Sequence, residues 1–202
     1  MQTPIVKLDP ARPEQAFARC REVIRAGGVI AYPTDTFYGL GADPGNPRAV
    51  RRLFEIKGRQ ADQPVLLLIP DAAAVRDWAA EVTACADDLM RRFWPGPLTL
   101  VFKAQPAVMP ELTGGTGGIG LRVPGAIITR DLVRFLGSAL TGTSANISGG
   151  PSPRTATEAA ASIGDLVDLI LDGGMTAGGK PSTVVDVRGE EPMVIRAGAL
   201  ML

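Results

Sequence analysis

The chain has 202 residues, 46% of them apolar, with 21 basic and 21 acidic side chains and no histidine. This size and apolar content suit one globular domain, and the zero net charge argues against a generic nucleic-acid coat or a polybasic membrane anchor. The lack of histidine excludes a histidine triad, a histidine general base and a histidine-ligated metal. Any chemistry must therefore use carboxylates, hydroxyls, Lys and Arg side chains, backbone amides or a metal that arrives with a ligand.

The cysteines and the N-terminal segment indicate the compartment. Cys20 and Cys85 lie within helical patterns and are expected to be reduced. The N-terminal residues carry no apolar signal core, and no apolar run reaches membrane-spanning length. We therefore expect a cytosolic protein with a single domain over residues 1–202 and no membrane partner.

The first part of the chain predicts a helix and then a buried strand that ends in polar groups. The helix spans 11–25, and the strand is Val29–Tyr32. Thr34, Asp35 and Thr36 follow the strand directly. Such groups at the carboxyl edge of an open α/β sheet commonly bind ligands, although a capped turn accounts for them equally well.

A second helix has clear signals at both ends. Asn46 and Pro47 predict its first turn, and Gly58 predicts its left-handed end. Lys57 and Arg59 flank Gly58, near the negative end of the helix dipole.

The rest of the chain predicts short strands and helices without strict alternation. The predicted strands are 65–69, 98–102, 121–123, 139–141, 167–171, 183–187 and 193–195, and the predicted helices are 71–80, 83–93, 126–136 and 155–163. A glycine-rich loop over 113–120 matches neither the P-loop nor the dinucleotide fingerprint. The last strands follow one another without helices, so the predicted fold class is α/β with a mixed sheet and flanking helices.

Polar and cationic side chains recur near the predicted strand ends. They are Thr34, Thr36, Lys57, Arg59, Arg122, Thr143, Ser144, Asn146, Ser182 and Arg196. Any one of these cations is more often a solvated surface residue. Together with the hydroxyls they predict a pocket for an anionic, hydroxyl-bearing ligand, with phosphate as the first candidate.

Seven segments together resemble a known family. YPTDTFYGLG, KGR, WPGPLTLVF, GLRVP, TSANISG, PSTVVDV and VIRAGAL are similar to the YrdC/TsaC family, the L-threonylcarbamoyladenylate synthases, over roughly residues 14–200. The combination of KxR with SxN is the most specific part. The chain resembles the short form, without the extra C-terminal domain of longer members. The resemblance implies a YrdC-like twisted open mixed sheet with a large, positively lined concave face.

The resemblance also implies a reaction. L-threonine, bicarbonate (or CO2) and ATP would give threonylcarbamoyl-AMP and pyrophosphate, an adenylyl transfer by a nucleotidyltransferase. Mg2+ would be carried with ATP, and no protein metal site is expected. A separate transferase complex would use the product to form N6-threonylcarbamoyladenosine at position 37 of tRNA, which allows tRNA contact.

The resemblance assigns roles residue by residue. Threonine contacts are expected from Thr36, Arg122, Ser144 and Ser182, with Thr34 and Tyr38 nearby. ATP contacts are expected from Lys57, Arg59, Gln63, Asn146, Arg154 and Arg196, and the catalytic contacts to the phosphates from Lys57 and Arg59. Gln63 and Leu68 replace an asparagine and a histidine of other members, and Gly118 offers only backbone. Asp35 is interpreted as a turn-forming residue rather than a base.

Two other interpretations stay open. The same fold can serve as a non-catalytic module that binds tRNA or double-stranded RNA, although zero net charge and the lack of an aromatic stacking platform disfavour this. A carbamoyl-adenylate domain of the hydrogenase-maturation type occurs in larger chains with zinc-finger segments, for which this chain lacks the length and the cysteines. Pyrophosphate release that requires both threonine and bicarbonate separates the enzyme from the binding module.

Overall fold

The computed structural model describes residues 3–58 and 63–201, and a ten-stranded sheet runs through them. The strands are β1 Ile5–Lys7, β2 Ile30–Tyr32, β3 Gly39–Gly41, β4 Leu66–Leu68, β5 Leu98–Lys103, β6 Gly118–Arg122, β7 Leu140–Ser144, β8 Leu169–Asp172, β9 Thr183–Asp186 and β10 Met193–Arg196. Their order is β1-β8-β2-β3-β7-β4-β6-β5-β9-β10. Parallel pairs such as β4 with β6 occur beside antiparallel pairs such as β4 with β7, so the predicted mixed sheet is confirmed.

Helices flank the sheet, as predicted. They are α1 Pro13–Arg25, α2 Pro47–Lys57, α3 Ala84–Phe93, α4 Pro110–Thr113, α5 Ile127–Leu136 and α6 Ala156–Ile163, with 3₁₀ helices at Ala72–Asp77 and Gly164–Leu166. The helix predicted over 71–80 is present only as the 3₁₀ helix Ala72–Asp77. Ala79 bridges to Ala104, and the Ala80 N–H donates to the Lys103 carbonyl, so the chain pairs with the end of β5 before a longer helix forms.

The sheet separates two apolar clusters, because successive strand residues point to opposite faces. Along β2, Ile30 and Tyr32 join the cluster that contains residues of α1 and α5, whereas Ala31 joins the cluster that contains residues of α2, α3 and α6. None of the helices in the described part of the chain is long and apolar enough to cross a bilayer.

The predicted boundaries of α2 are confirmed. The Asn46 side chain accepts hydrogen bonds from the N–H groups of Arg48 and Ala49, and Gly58 ends the helix with a φ of 60°. The helix therefore stops at a fixed point, and its last residue, Lys57, is buried.

Glycine residues explain why the sequence predicts neither strand β3 nor the beginning of strand β6. Gly39 and Gly41 lower strand propensity, so β3 is not predicted. The structure needs both glycines because the Tyr32 ring lies against them: a Cβ at Gly41 would lie 2.7 Å from Tyr32 Cε1, and one at Gly39 would lie 3.2 Å from Tyr32 Oη. Strand β6 likewise starts at Gly118, inside the segment predicted as a loop.

Replacing Gly41 with alanine tests this close approach. Tyr32 is fully buried and its hydroxyl donates to the Thr141 carbonyl at 2.8 Å, so the ring cannot move aside. We expect Gly41→Ala to lower the free energy of unfolding by about 2 kcal/mol in urea denaturation, as for overpacked cores. Gly164→Ala is the control, because its Cβ would have no neighbour nearer than 3.7 Å. Equal stability of the two variants would contradict the explanation.

Candidate functional site

A cavity of about 770 Å³, called the hollow below, gathers most of the predicted site residues. The predicted residues in its lining are Thr34, Thr36, Tyr38, Lys57, Gln63, Leu68, Gly118, Arg122, Thr143, Ser144, Asn146, Ser182 and Arg196. They come from β7, from strands on both sides of it, from the end of α2 and from adjoining loops. The sheet order explains this convergence, since β3 and β4 both pair with β7.

One predicted contact among the described residues, Arg154, does not line the hollow. Arg154 directs its guanidinium to the Thr176 carbonyl, with Nε and Nη2 at 3.4 and 3.3 Å, and it is not among the residues that line the hollow. Arg59 lies outside the described residues. The ATP contacts expected from both therefore stay predictions.

Lys57 joins the two most specific motifs. Its Nζ donates to the Ser144 carbonyl at 2.7 Å, to Ser144 Oγ at 3.2 Å and to Asn146 Oδ1 at 2.8 Å. Ser144 Oγ also donates to Asn146 Oδ1, and Asn146 Nδ2 donates to the Gly150 carbonyl. The end of α2 and the end of β7 thus share one buried, charge-assisted network.

Arg122, at the end of β6, is buried, and two hydrogen-bond acceptors fix its guanidinium group. Its Nε donates to the Gly96 carbonyl at 3.0 Å, and its Nη2 donates to Asp35 Oδ2 at 2.6 Å. The turn-forming role expected of Asp35 is filled by Thr34, whose Oγ1 accepts from the N–H groups of Thr36 and Phe37. Asp35 is instead the ionic partner of Arg122.

A second cation meets a pair of buried hydroxyls. Arg196 Nη2 donates to the Ser182 carbonyl at 2.8 Å and to Ser182 Oγ at 3.2 Å, and Ser182 Oγ lies 3.0 Å from Thr99 Oγ1. Partial burial, and next the positive charge of Arg122, lower the pKa of Arg196. Arg122 and Arg196 both line the hollow. Sequence analysis missed Thr99; its only signal is a lone hydroxyl within an apolar strand.

Arg188 is a further cation in the lining that sequence analysis missed. Its Nε and Nη2 donate to Asp186 at 3.0 and 2.6 Å, and this pairing lowers the pKa of Asp186. Arg188 follows strand β9 as an ordinary charged loop residue, so only the fold reveals that it reaches the hollow.

The tyrosines of the site stay neutral. Tyr38 donates its hydroxyl to the Gly174 carbonyl at 2.8 Å, and burial raises the pKa of Tyr38 to about 12. Burial also raises the pKa of Tyr32, beyond the range of any proton transfer near neutral pH. Among the described residues, no three acidic or cysteine side chains come close enough together to hold a metal ion. The polar side chains that line the hollow belong to cations, hydroxyls and amides.

The fold and the hollow define an α/β protein with a mixed sheet that surrounds an open, cation-lined site. Residues 22–198 match the family model Sua5/YciO/YrdC, described as telomere recombination. The chain belongs to this family.

Relatives of known name support the same membership. The chain is 40% identical over 179 residues to the threonylcarbamoyl-AMP synthase of Pyrococcus abyssi, with 89% of this chain and 53% of that protein covered. It is 36% identical over 184 residues to that of Bacillus subtilis, of which it also covers 53%. It thus spans about half the length of these two relatives. Against the Thiobacillus denitrificans protein of the same name, 40% identity extends over 164 residues, 81% of this chain and 87% of the relative.

Solved structures share the fold. P. abyssi Sua5 in complex with L-threonine superposes with a TM-score of 0.93 at 37% identity, covering 98% of this chain and 58% of that one. Escherichia coli YciO superposes with a TM-score of 0.88 at 30% identity, covering 98% and 96%. These neighbours confirm the YrdC-like open sheet predicted from the sequence.

The Asp186–Arg188 pair predicts a dependence of stability on pH. Because the pKa of Asp186 is lower in the folded state, its carboxylate stabilises the fold above the unfolded-state pKa, and this contribution is lost as the pH falls through the folded-state pKa. The Arg188 side chain is 38% exposed, so solvent weakens the pair. We expect the free energy of unfolding of wild type to exceed that of Asp186→Asn by at most about 1 kcal/mol at neutral pH.

Urea denaturation of both proteins from neutral pH down to below about pH 4 measures the difference. It should shrink steadily on acidification. A difference that stays constant or grows with acid would contradict the assignment.

Proposed function

We propose that this chain is an L-threonylcarbamoyladenylate synthase. It would convert L-threonine, bicarbonate (or CO2) and ATP into threonylcarbamoyl-AMP and pyrophosphate. The name of the curated relatives and the L-threonine complex of P. abyssi Sua5 support the proposal. The observation that carries it is the Lys57 network, which joins KxR to SxN in the same hollow as Arg122.

The amino-acid side of the site is proposed around Arg122. Its Nε and Nη2 are occupied by Gly96 and Asp35, and the other edge of the guanidinium suits a planar carboxylate. Thr36 Oγ1, 3.2 Å from Thr34 Oγ1, and the buried hydroxyl of Ser182 are suitable partners for the polar groups of threonine.

The nucleotide side is proposed around Lys57 and Asn146. The Lys57 ammonium group would contact the ATP phosphates as a point charge, and Arg59, two residues further along the chain, would contribute a second cation. Arg196 and Gln63, which both line the hollow, would contact the nucleotide, and Arg154 would do so after turning from Thr176. Mg2+ would enter as part of the substrate, bound to the phosphates.

The chemistry requires positioning rather than a covalent intermediate. The neutral threonine amine forms a bond to the carbon of CO2, one carbon–oxygen π bond of CO2 opens to an oxyanion, and the proton on nitrogen passes to solvent, which leaves a carbamate. A carbamate oxygen then forms a bond to the α-phosphorus, and the bond from that phosphorus to the bridging oxygen of pyrophosphate breaks. Fixed cations stabilise the charge on the phosphate oxygens, and fixed hydroxyls align the carbamate.

A direct assay distinguishes this function from RNA binding alone. The pure chain, incubated with threonine, bicarbonate, ATP and Mg2+, should release pyrophosphate only when both threonine and bicarbonate are present. Mass spectrometry should detect threonylcarbamoyl-AMP, which a separate transferase complex would then use to modify tRNA. Binding of tRNA without pyrophosphate release would overturn the proposal in favour of the binding module.

The role of Lys57 is tested by Lys57→Met. Methionine keeps the length and flexibility of the side chain and removes the charge, so the phosphates lose one preorganised cation. We expect kcat/KM for ATP to fall by at least about 100-fold, measured by pyrophosphate release. Arg51→Met, at an exposed position of the same helix, is the matched control and should keep wild-type values. Wild-type kinetics in Lys57→Met would refute the phosphate contact.

The role of Arg122 is tested by Arg122→Lys, which keeps the charge beside Asp35 but cannot form a bidentate contact. We expect the KM for threonine to rise about 10-fold while the KM for ATP stays unchanged. A parallel rise of both constants would mean that Arg122 does not contact threonine specifically.

A further inference from the structure

Asp35 is the ionic partner of Arg122, and its Oδ2 accepts a hydrogen bond from Arg122 Nη2 at 2.6 Å. Asp35 is not among the residues that line the hollow, although Thr34, Thr36 and Arg122 are. We propose that Asp35 is a positioning residue for substrate recognition: it fixes the Arg122 guanidinium so that one free edge faces the hollow and receives the amino-acid carboxylate. This inference rests on the proposed function and adds a residue to it.

The pattern of hydrogen bonds leaves a defined edge of Arg122 available. Nε and Nη2 form one side of the planar guanidinium, and these are the two nitrogens that bond to Gly96 and Asp35. The opposite edge consists of Nη1 and the second N–H of Nη2. Nη1 has no hydrogen-bond partner within residues 3–58 and 63–201, so the edge can bind a carboxylate through two parallel bonds.

Burial makes this pairing different from a surface ion pair. The Arg122 and Asp35 side chains are 5% and 18% exposed. Asp35 Oδ1 is buried and has no hydrogen-bond partner among the described residues, so Arg122 is what holds this carboxylate in place. A buried ion pair with one unsatisfied oxygen contributes little to the stability of the fold, because desolvation of the charges offsets their attraction. This favours a role for the pair in orienting Arg122.

Gly125 makes room for the carboxylate. A Cβ at this position would lie 2.9 Å from Asp35 Oδ2 and 3.2 Å from Asp35 Cγ. An alanine there would push the carboxylate without touching the hollow, since Gly125 is not part of the lining. Gly125→Ala therefore perturbs the Asp35–Arg122 geometry by a route that leaves both charges present.

The experiment compares Asp35→Ala, Asp35→Asn and Gly125→Ala with wild type, and Gly164→Ala serves as the remote glycine control. Pyrophosphate release gives kcat and the KM for threonine and for ATP, and calorimetry gives the Kd for L-threonine. We expect the threonine KM and Kd to rise about 10- to 100-fold in Asp35→Ala and Gly125→Ala, with the ATP KM unchanged. Asp35→Asn keeps an oxygen for Nη2 but loses the charge, so it should lie between Asp35→Ala and wild type.

The outcomes separate this inference from the proposed function. Wild-type threonine constants in Gly125→Ala and in both Asp35 variants overturn the positioning role and leave the proposed function standing. Equal rises in the threonine and ATP constants also overturn it, because they indicate a general loss of structure. A wild-type protein that neither binds L-threonine nor makes the adenylate overturns both.

Discussion

A buried ammonium group at the end of α2 holds the site together. Lys57 donates to Ser144 and Asn146, while its own carbonyl accepts from the Ser148 N–H at 3.0 Å, so the helix end and the loop after β7 are fixed to each other. Burying a cation is unfavourable unless oxygen atoms surround it. The last residue of β7, Ser144, and the loop after it supply those oxygens. Strand β7 lies between β3 and β4; the threonines precede β3, and Arg122 lies on β6 beside β4, so all of them reach the same hollow.

This chain of zero net charge forms a cation-lined site because the carboxylates that pair with two of the cations are not part of the lining. Asp35 pairs with Arg122 and Asp186 pairs with Arg188, and neither carboxylate lines the hollow. The anionic ligand would therefore meet guanidinium groups whose orientation is already set. Burial, and after it the positive charge of Arg122, lower the pKa of Arg196, and a bound anion would offset the repulsion between the two cations.

Local sequence signals were enough to predict the elements whose ends carry characteristic capping residues. Asn46, Pro47 and Gly58 define α2 by capping alone, and the mixed sheet followed from strands without intervening helices. The strand predicted at 139–141 stopped too early, because Gly142 and the polar residues after it are not typical of a strand, whereas β7 continues to Ser144. The Asp35–Arg122 pair could not be predicted, since it joins segments 87 positions apart that meet only through the sheet order.

The most direct measurement is a crystal structure of this chain with L-threonine, a non-hydrolysable ATP analogue and Mg2+. We expect the threonine carboxylate within hydrogen-bonding distance of Arg122 Nη1, the phosphates next to Lys57, and the amine, where the carbamate forms, on the side of the α-phosphate. Density for both ligands outside the hollow, or a threonine carboxylate that leaves Arg122 untouched, would contradict this expectation.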